Sequence, residues 1–490
     1  MEMGFSWVCS ILIGVGLFAL RWILSNVNSW IHESKLGEKQ YLLPPGDMGW
    51  PLIGNMWSFL RAFKSSDPDS FINSFVSRFG RTGIYKAFMF GRPSVIVTRP
   101  DTCKRVLTDD DAFRPGWPAS TERLMGRKSF LLIPFEEHKR LRKITAAPVN
   151  GHEALSVYMK YIEENVKSTL GKWSTMGEIE FLTELRRLTF RVIMHIFLSE
   201  EEEHVVRNLE KEYTAFNGGI RAMAINLPGF AYHKALKARK NLVARFQEVV
   251  NERRKRRLEN QPIVKKDMMD LLVDVEDEKG RRLDDEEIID VLLMYLNAGH
   301  ESSGHITMWA TILLQEHPKI FRKAKEEQEK IVKNRPPTQE GLTLEEYRQM
   351  EYLSKVVDET LRLINISLVV FRTAQTDVKM NGYLIPKGWR VLAWFRQVHM
   401  DPDNYPDPKE FDPSRWDGPP PKAGMFIPFG GGSHLCPGND LAKLEIAIFL
   451  HYFLLGYKVE RRNPECPLRY LPHPRPKDNC LARIIKVKNP

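Results

Sequence analysis

The chain has 490 residues, 43% hydrophobic and 27% charged, with 31 glycines and 31 prolines, a composition that excludes a disordered, fibrous or low-complexity protein. The formal charge is +10, which favours an acidic partner or an anionic surface. Cys9, Cys103, Cys436, Cys466 and Cys480 lie far apart, so neither a disulfide framework nor a zinc module is indicated, and a reducing compartment fits.

Residues 3–20 carry no charge, and Trp22, Ile23 and Leu24 extend the run to about the 20 residues that cross a bilayer. It is long for the apolar core of a signal peptide and no small-x-small cleavage site follows, so a retained anchor over residues 1–24 is expected. Only Glu2 precedes the run, whereas Arg21, Lys35 and Lys39 follow it, which leaves the body in the cytosol by the positive-inside rule. A Pro/Gly-rich hinge over residues 25–55, centred on Pro44-Pro45-Gly46, then leads to one catalytic body over residues 56–490.

Within the body, Gly83-Ile84-Tyr85-Lys86 and Ser94-Val95-Ile96-Val97 read as strands. Helical spacing dominates residues 138–330, most clearly at 153–172, 233–260 and 284–316. The run Arg253-Arg254-Lys255-Arg256-Arg257 lies beside Glu252 and Glu259 and reads as a solvated helix face, so no nucleic-acid partner is expected. Strand-like pieces return at 376–395, with Asn381-Gly382 as a turn, and at 482–487. The fold class is mainly α with a smaller β region (α+β), plus one N-terminal transmembrane helix.

The strongest local signal is Phe429-Gly430-Gly431-Gly432-Ser433-His434-Leu435-Cys436-Pro437-Gly438. Successive glycines let backbone pass close to a bulky partner. An amphipathic helix over 439–455 follows, with Pro437 expected in its first turn, so Cys436 sits where a helix dipole favours a thiolate.

This loop resembles that of the cytochrome P-450 superfamily, Phe-x-x-Gly-x-Arg-x-Cys-x-Gly, through Phe429, Gly432, Cys436 and Gly438, with His434 in place of arginine. The resemblance implies the cytochrome P-450 fold, haem b, Cys436 as axial ligand of the haem iron, dioxygen as co-substrate and electrons from NADPH through NADPH-cytochrome P-450 reductase. Three further motifs match. Glu359-Thr360-Leu361-Arg362 and Phe411-Asp412-Pro413-Ser414-Arg415 imply a structural triad of Glu359, Arg362 and Arg415. Ala298-Gly299-His300-Glu301-Ser302 implies an acid and an alcohol, Glu301 and Ser302, that relay protons, with Gly299 opening room on a ligand face. His138 and Arg142, on a helix over 136–147, together with Arg372 and His434, are implied contacts of the haem propionates. Lys139, Arg140 and Lys143 are expected to offer a basic face to the electron donor.

An apolar pocket lined by Trp117, Phe130, Leu131, Ile133, Met294 and Leu368 is expected, and the turn-broken segment 222–230 is expected to dip into membrane lipid. The passages Phe113-Arg114-Pro115-Gly116-Trp117-Pro118 and Gly432-Ser433-His434-Leu435-Cys436-Pro437-Gly438-Asn439-Asp440 are similar to those of plant members that oxidise a lipophilic diterpenoid acid. That implies carbon 7 hydroxylation, ring contraction and oxidation of the aldehyde to an acid, on the route to gibberellins at the endoplasmic reticulum membrane, with the plastid outer envelope as the other address. Relatives that oxidise a triterpene such as β-amyrin are the alternative; a haem-thiolate isomerase and a haem sensor lie further off. Arg123, Arg127 and Arg221 are candidates for the substrate carboxylate. A zinc peptidase is disfavoured, because His300 and His305 stand five residues apart rather than four, about 140° round a helix.

Overall fold

In the computed structural model, which describes residues 2–199, 202–220, 222–259 and 267–487, the N-terminal run is one helix, α1 (Glu2–His32). Its apolar side chains are exposed from Leu12 to Ile23, with Phe18 at 72%, so they have no protein face to cover them. Among the described residues Leu12–His32 is the helix long and apolar enough to cross a membrane. The helix outruns the expected anchor. Its last turns become polar, and Asn28 Nδ2 donates to the Met48 and Trp50 carbonyls at 2.9 and 2.6 Å.

The chain forms two compact units: Met1–Gly116, Ser367–Asp401 and Ala423–Ile427 in one, and Trp117–Ile366, Pro402–Lys422 and Pro428–Pro490 in the other. Each unit collects three separated stretches of chain, so no compositional break marks the border.

The first unit holds a five-stranded sheet in the order Ile84–Met89, Arg92–Val97, Arg390–Ala393, Val370–Ala374, Phe113–Pro115. Val95, Val97, Val391 and Ala393 alternate onto one face and enter the core. The Asn381-Gly382 turn closes a two-residue hairpin in which Met380 pairs with Tyr383, and both turn residues have positive φ (50° and 81°). The Pro/Gly segment is bonded to the edge strand: Lys86 N–H donates to Pro45 O (3.0 Å), and Asn55 exchanges bonds with Phe88 in both directions (2.9 Å each). It covers a sheet edge before α2 (Met56–Lys64) begins.

The second unit is helical. Its main elements are α3 (Phe135–Asn150), α4 (His152–Trp173), α5 (Phe181–Leu198), α6 (Glu203–Ile220), α7 (Ala231–Leu258), α8 (Asp285–Glu316), α9 (Glu351–Ile364) and α10 (Asn439–Gly456). A small antiparallel sheet of Glu178–Glu180, Leu481–Lys486 and Tyr457–Arg461 accompanies them. Helix α8 starts where Asp284 accepts from Glu287 N–H (2.8 Å) and Glu287 accepts from Asp284 N–H (2.9 Å), a reciprocal cap that satisfies two otherwise orphaned donors. The basic run at the end of α7 is neutralised: Arg253 pairs with Asp267 (2.9 Å), Arg254 with Asp285 (2.7 Å) and Arg257 with Asp270 (3.1 Å).

Helix α9 carries Glu359 and Arg362 of the expected triad, and Arg415 reaches them from the 3-10 turn Pro413–Trp416. Arg362 grips Glu359 through Nε (2.9 Å) and Nη2 (2.7 Å), and both side chains are fully buried. Arg415 Nε (3.2 Å), Trp416 Nε1 (3.2 Å) and Asp412 N–H (3.1 Å) also donate to Glu359. Arg362 spends its remaining donors on the Pro408 and Glu410 carbonyls. On an exposed helix the Glu359/Arg362 spacing is worth only about 0.2–0.5 kcal/mol. Buried, removal of one partner strands the rest. Glu359→Ala is expected to destabilise the protein by about 3–5 kcal/mol, measured as a fall in the urea unfolding midpoint; a change below about 1 kcal/mol contradicts the assignment.

Candidate functional site

The cysteine loop folds back on itself because two glycines permit it. Gly430 and Gly432 adopt φ of 79° and 66°, and Cys436 N–H closes onto Phe429 O at 2.9 Å. Lys443 lies over the Phe429 ring at 6.0 Å. Helix α10 begins only after Gly438, so Pro437 precedes the first turn instead of occupying it. Helix α3 clamps the loop from the side: Arg142 Nη2 donates to Leu435 O (2.8 Å), and Asn150 Nδ2 bonds Asn439 Oδ1 (3.2 Å) and the Pro437 carbonyl.

Cys436 is half-buried. Burial pushes its thiol pKa up, opposed by a hydrogen bond from Gly438 N–H and by the Arg142 charge. A bound metal cation would draw the same thiol toward the thiolate.

His138 is buried, and its ring centroid lies 3.9 Å from that of His434 with the two planes tilted by 43°, so two of the expected propionate contacts touch each other. Phe130 meets His138 edge-on at 5.4 Å and the Tyr295 ring at 5.6 Å. The Tyr295 hydroxyl bonds Thr145 Oγ1 of α3 at 2.8 Å. Its pKa is pushed up to about 12, chiefly by burial, and it feels both Arg142 and Cys436. Nothing in the local pattern singled out Tyr295; it is one more aromatic on a long apolar helix.

On α8 the expected acid and alcohol separate. Most of the helix is buried, but Met294, Ala298 and Ser302 form a partly open stripe at four-residue spacing. Ser302 lies on it, with Oγ donating to Ala298 O at 3.0 Å. Glu301, about 100° away, is buried and ion-paired with Arg186 of α5. Burial opposes its ionisation, but the positive charge around it, that of Arg186 included, holds its pKa below the usual carboxylate value. Gly299 does not open room for a ligand: a Cβ there would sit 2.3 Å from Ile193 Cδ1 of α5. The glycine serves helix packing.

His300 and His305 both flank Glu301, at 3.7 and 3.8 Å. Among the described residues no group of three His, Cys, Asp or Glu side chains is placed to hold a metal. Arg140 does not offer a basic face, because it is drawn into a network with Glu137, Asp277 and Glu287, and Lys143 is paired with Glu278. Lys139 is exposed. Arg123 and Arg127 are also exposed, and Arg221 lies outside the described residues. Arg372 belongs to the first unit, on the strand Val370–Ala374. It is buried, its Nε has no hydrogen-bond partner among the described residues, and desolvation lowers its pKa to about 10.

The sequence profile described as Cytochrome P450 matches residues 44–475. The chain belongs to the cytochrome P450 family. It is 70% identical over 476 residues to ent-kaurenoic acid oxidase 2 of Arabidopsis thaliana, covering 97% of each chain. It is 56% identical to the ent-kaurenoic acid oxidase of Oryza sativa subsp. japonica (99% and 96% covered) and 54% identical to a 7,8-epoxymelianol synthase of Ailanthus altissima (100% and 98% covered). Retinoic acid-bound cyanobacterial CYP120A1 superposes with a TM-score of 0.80 at 29% identity, over 91% of this chain and 99% of that one.

This P450 is therefore a monooxygenase that uses haem iron, dioxygen and electrons from a reductase. The residues present fit that group. Cys436 is a single soft donor beside a cation, and a Cβ added at Gly430 or Gly438 would meet no protein atom within 4 Å, which leaves the loop face open to a flat macrocycle.

His300 and His305 are buried and neutral, with pKa values lowered from 6.5 to about 4 by desolvation. The unfolded chain binds more protons between those values, so stability falls as pH drops through that window. Urea midpoints measured between pH 7 and pH 5 are expected to decline, with a flatter slope in His300→Leu/His305→Leu; an equal slope in both proteins assigns the loss elsewhere.

Proposed function

We propose that this P450 oxidises ent-kaurenoic acid in successive steps: hydroxylation at carbon 7, ring contraction to an aldehyde, and oxidation of the aldehyde to the acid, in gibberellin biosynthesis. The observation that carries this reading is 70% identity across 97% of the chain to the Arabidopsis thaliana ent-kaurenoic acid oxidase 2, against 54% to the epoxymelianol synthase. The latter likeness, spanning the whole chain, supports oxidation of a triterpenoid as the second reading.

Cys436 is assigned as axial ligand of the iron, with Phe429, Gly432 and Gly438 shaping its loop. Haem with a thiolate ligand supplies an electron-rich iron that activates dioxygen. Arg142, His138 and His434 are assigned to the haem carboxylates; Arg372 receives the same role on family resemblance. Ser302 presents its hydroxyl on the open stripe of α8 and holds a proton there. Glu301, ion-paired with Arg186, is the carboxylate behind it that can take up a proton and pass it on. Met294 and Phe130 are assigned to the substrate pocket.

Residues 1–24 are assigned as the single-pass anchor, 25–55 as the connecting segment and 56–490 as the catalytic body, cytosolic at the endoplasmic reticulum. NADPH-cytochrome P-450 reductase is the assigned electron donor. The segment between α6 and α7, which exposes Met223, Leu227 and Phe230, contacts lipid and admits the lipophilic diterpenoid acid.

Cys436→Ser is expected to abolish the thiolate-type carbon monoxide difference spectrum; its persistence with haem bound overturns the ligand assignment. Microsomes holding the protein and a reductase are expected to convert ent-kaurenoic acid in the presence of NADPH, read by product mass spectrometry. Conversion of a triterpenoid alone would establish the second reading. Ser302→Ala is expected to raise the hydrogen peroxide formed per NADPH consumed by about tenfold over wild type, in line with the loss of a positioned proton donor.

A further inference from the structure

Tyr295 follows Met294 of the open stripe on α8, so its side chain leaves the helix about 100° away from that stripe and meets α3. Its ring is buried and fixed by two others: Phe130 at 5.6 Å, and Phe197 at 5.9 Å with the planes 25° apart. A ring packed this way fills its space without a hydroxyl. The hydroxyl has to be explained by what it bonds.

Two residues of α3, one turn apart, meet that oxygen. Thr145 Oγ1 lies 2.8 Å from Tyr295 Oη, and the same Oγ1 donates to Leu141 O at 2.8 Å. A threonine hydroxyl has one hydrogen to give. Toward Tyr295 it is therefore the acceptor, and the tyrosine donates. That leaves Tyr295 Oη with lone pairs, and the Arg142 side chain bonds there. A guanidinium can only donate. The bonds thus run one way, from Arg142 N–H to Tyr295 Oη, from Tyr295 O–H to Thr145 Oγ1, and from Thr145 O–H to Leu141 O. A charged donor heads the chain, and each member polarises the next.

Arg142 is half-buried and makes no ion pair among the described residues. Its Nη2 donates to Leu435 O, the carbonyl of the peptide that joins Leu435 to Cys436. Fixing so long a side chain costs rotamer entropy, and Tyr295 gives it a second hold. We infer that Tyr295 is a positioning residue of the haem site: its hydroxyl fixes the Arg142 guanidinium, and through it the Leu435–Cys436 peptide of the cysteine loop. Phenylalanine in its place fills the same space and leaves Arg142 with one hold fewer. The inference rests on Cys436 as the iron ligand.

The test uses the full-length haem-loaded protein and follows the rate at which the thiolate-type carbon monoxide band decays at one temperature. Tyr295→Phe is expected to speed the decay about tenfold, the effect of losing one hydrogen bond to a charged group. Arg142→Gln is expected to speed it at least as much. In Tyr295→Phe/Arg142→Gln the tyrosine substitution is expected to add nothing, because both changes remove one contact. Thr145→Ser keeps the acceptor and is expected to decay as wild type does; Thr145→Val removes it and is expected to decay faster. An unchanged rate in Tyr295→Phe, or single effects that multiply in the double variant, overturns the inference. So does a Tyr295→Phe protein that takes up no haem while Thr145→Val decays as wild type. A wild type without the thiolate-type band removes the ligand assignment itself, whereas a normal band with an indifferent Tyr295→Phe removes only the role of the tyrosine.

Discussion

A buried charge must be answered on all sides or it unfolds what surrounds it, and in this protein Glu359 sets that requirement. It lies on α9, which packs against both α8 and α10. Those two helices carry Ser302 and follow Cys436. Glu359 draws Arg362, Arg415, Trp416 and the backbone of Asp412 onto one carboxylate, and Arg362 passes the constraint on to the Pro408 and Glu410 carbonyls. Replacing such a network with apolar groups of the same shape costs less than breaking it. What the network supplies is a fixed placement for the chain from Pro408 to Trp416, whose regular structure is one short 3-10 turn, Pro413–Trp416.

The same economy governs the rest of the charge. The formal excess of +10 suggested a basic docking face, yet many of the arginines on α3, α5 and α7 are paired with carboxylates inside the second unit. Arg140 and Arg186 show why counting charges along a helix misleads: each is claimed by an acid far off in sequence, Glu287 and Glu301. Lys139 and Lys143 are the exposed lysines on α3, Lys143 paired with Glu278, and the loop beside them is held by Arg142 through a carbonyl.

Much of the fold was legible because its signals are local. The residues at 153–172 and 284–316 repeat apolar positions at helical spacing, and they form α4 and α8 with boundaries shifted by a residue or so. Asn381-Gly382 specified its hairpin, since few residue pairs tolerate two successive positive φ angles. The Phe429 to Gly438 pattern located the cysteine loop for the same reason. The extension of α1 to His32 was not legible, because its polar last turns are held by Asn28 bonds to a segment twenty residues on.

Sequence alone determined that one cysteine sits in a glycine-permitted loop, that an acid and an alcohol adjoin on a long helix, and that the N-terminus is apolar enough to cross a membrane. These follow from residue type and short-range spacing. Tertiary structure decided what each group faces. It turned Glu301 inward to Arg186 and left Ser302 on the open stripe, because neighbours on a helix point about 100° apart. It set His138 against His434 and gave Gly299 to Ile193, through contacts between residues more than a hundred positions apart. Around Cys436 it set burial, a property of the whole fold, against the Gly438 N–H and the Arg142 charge.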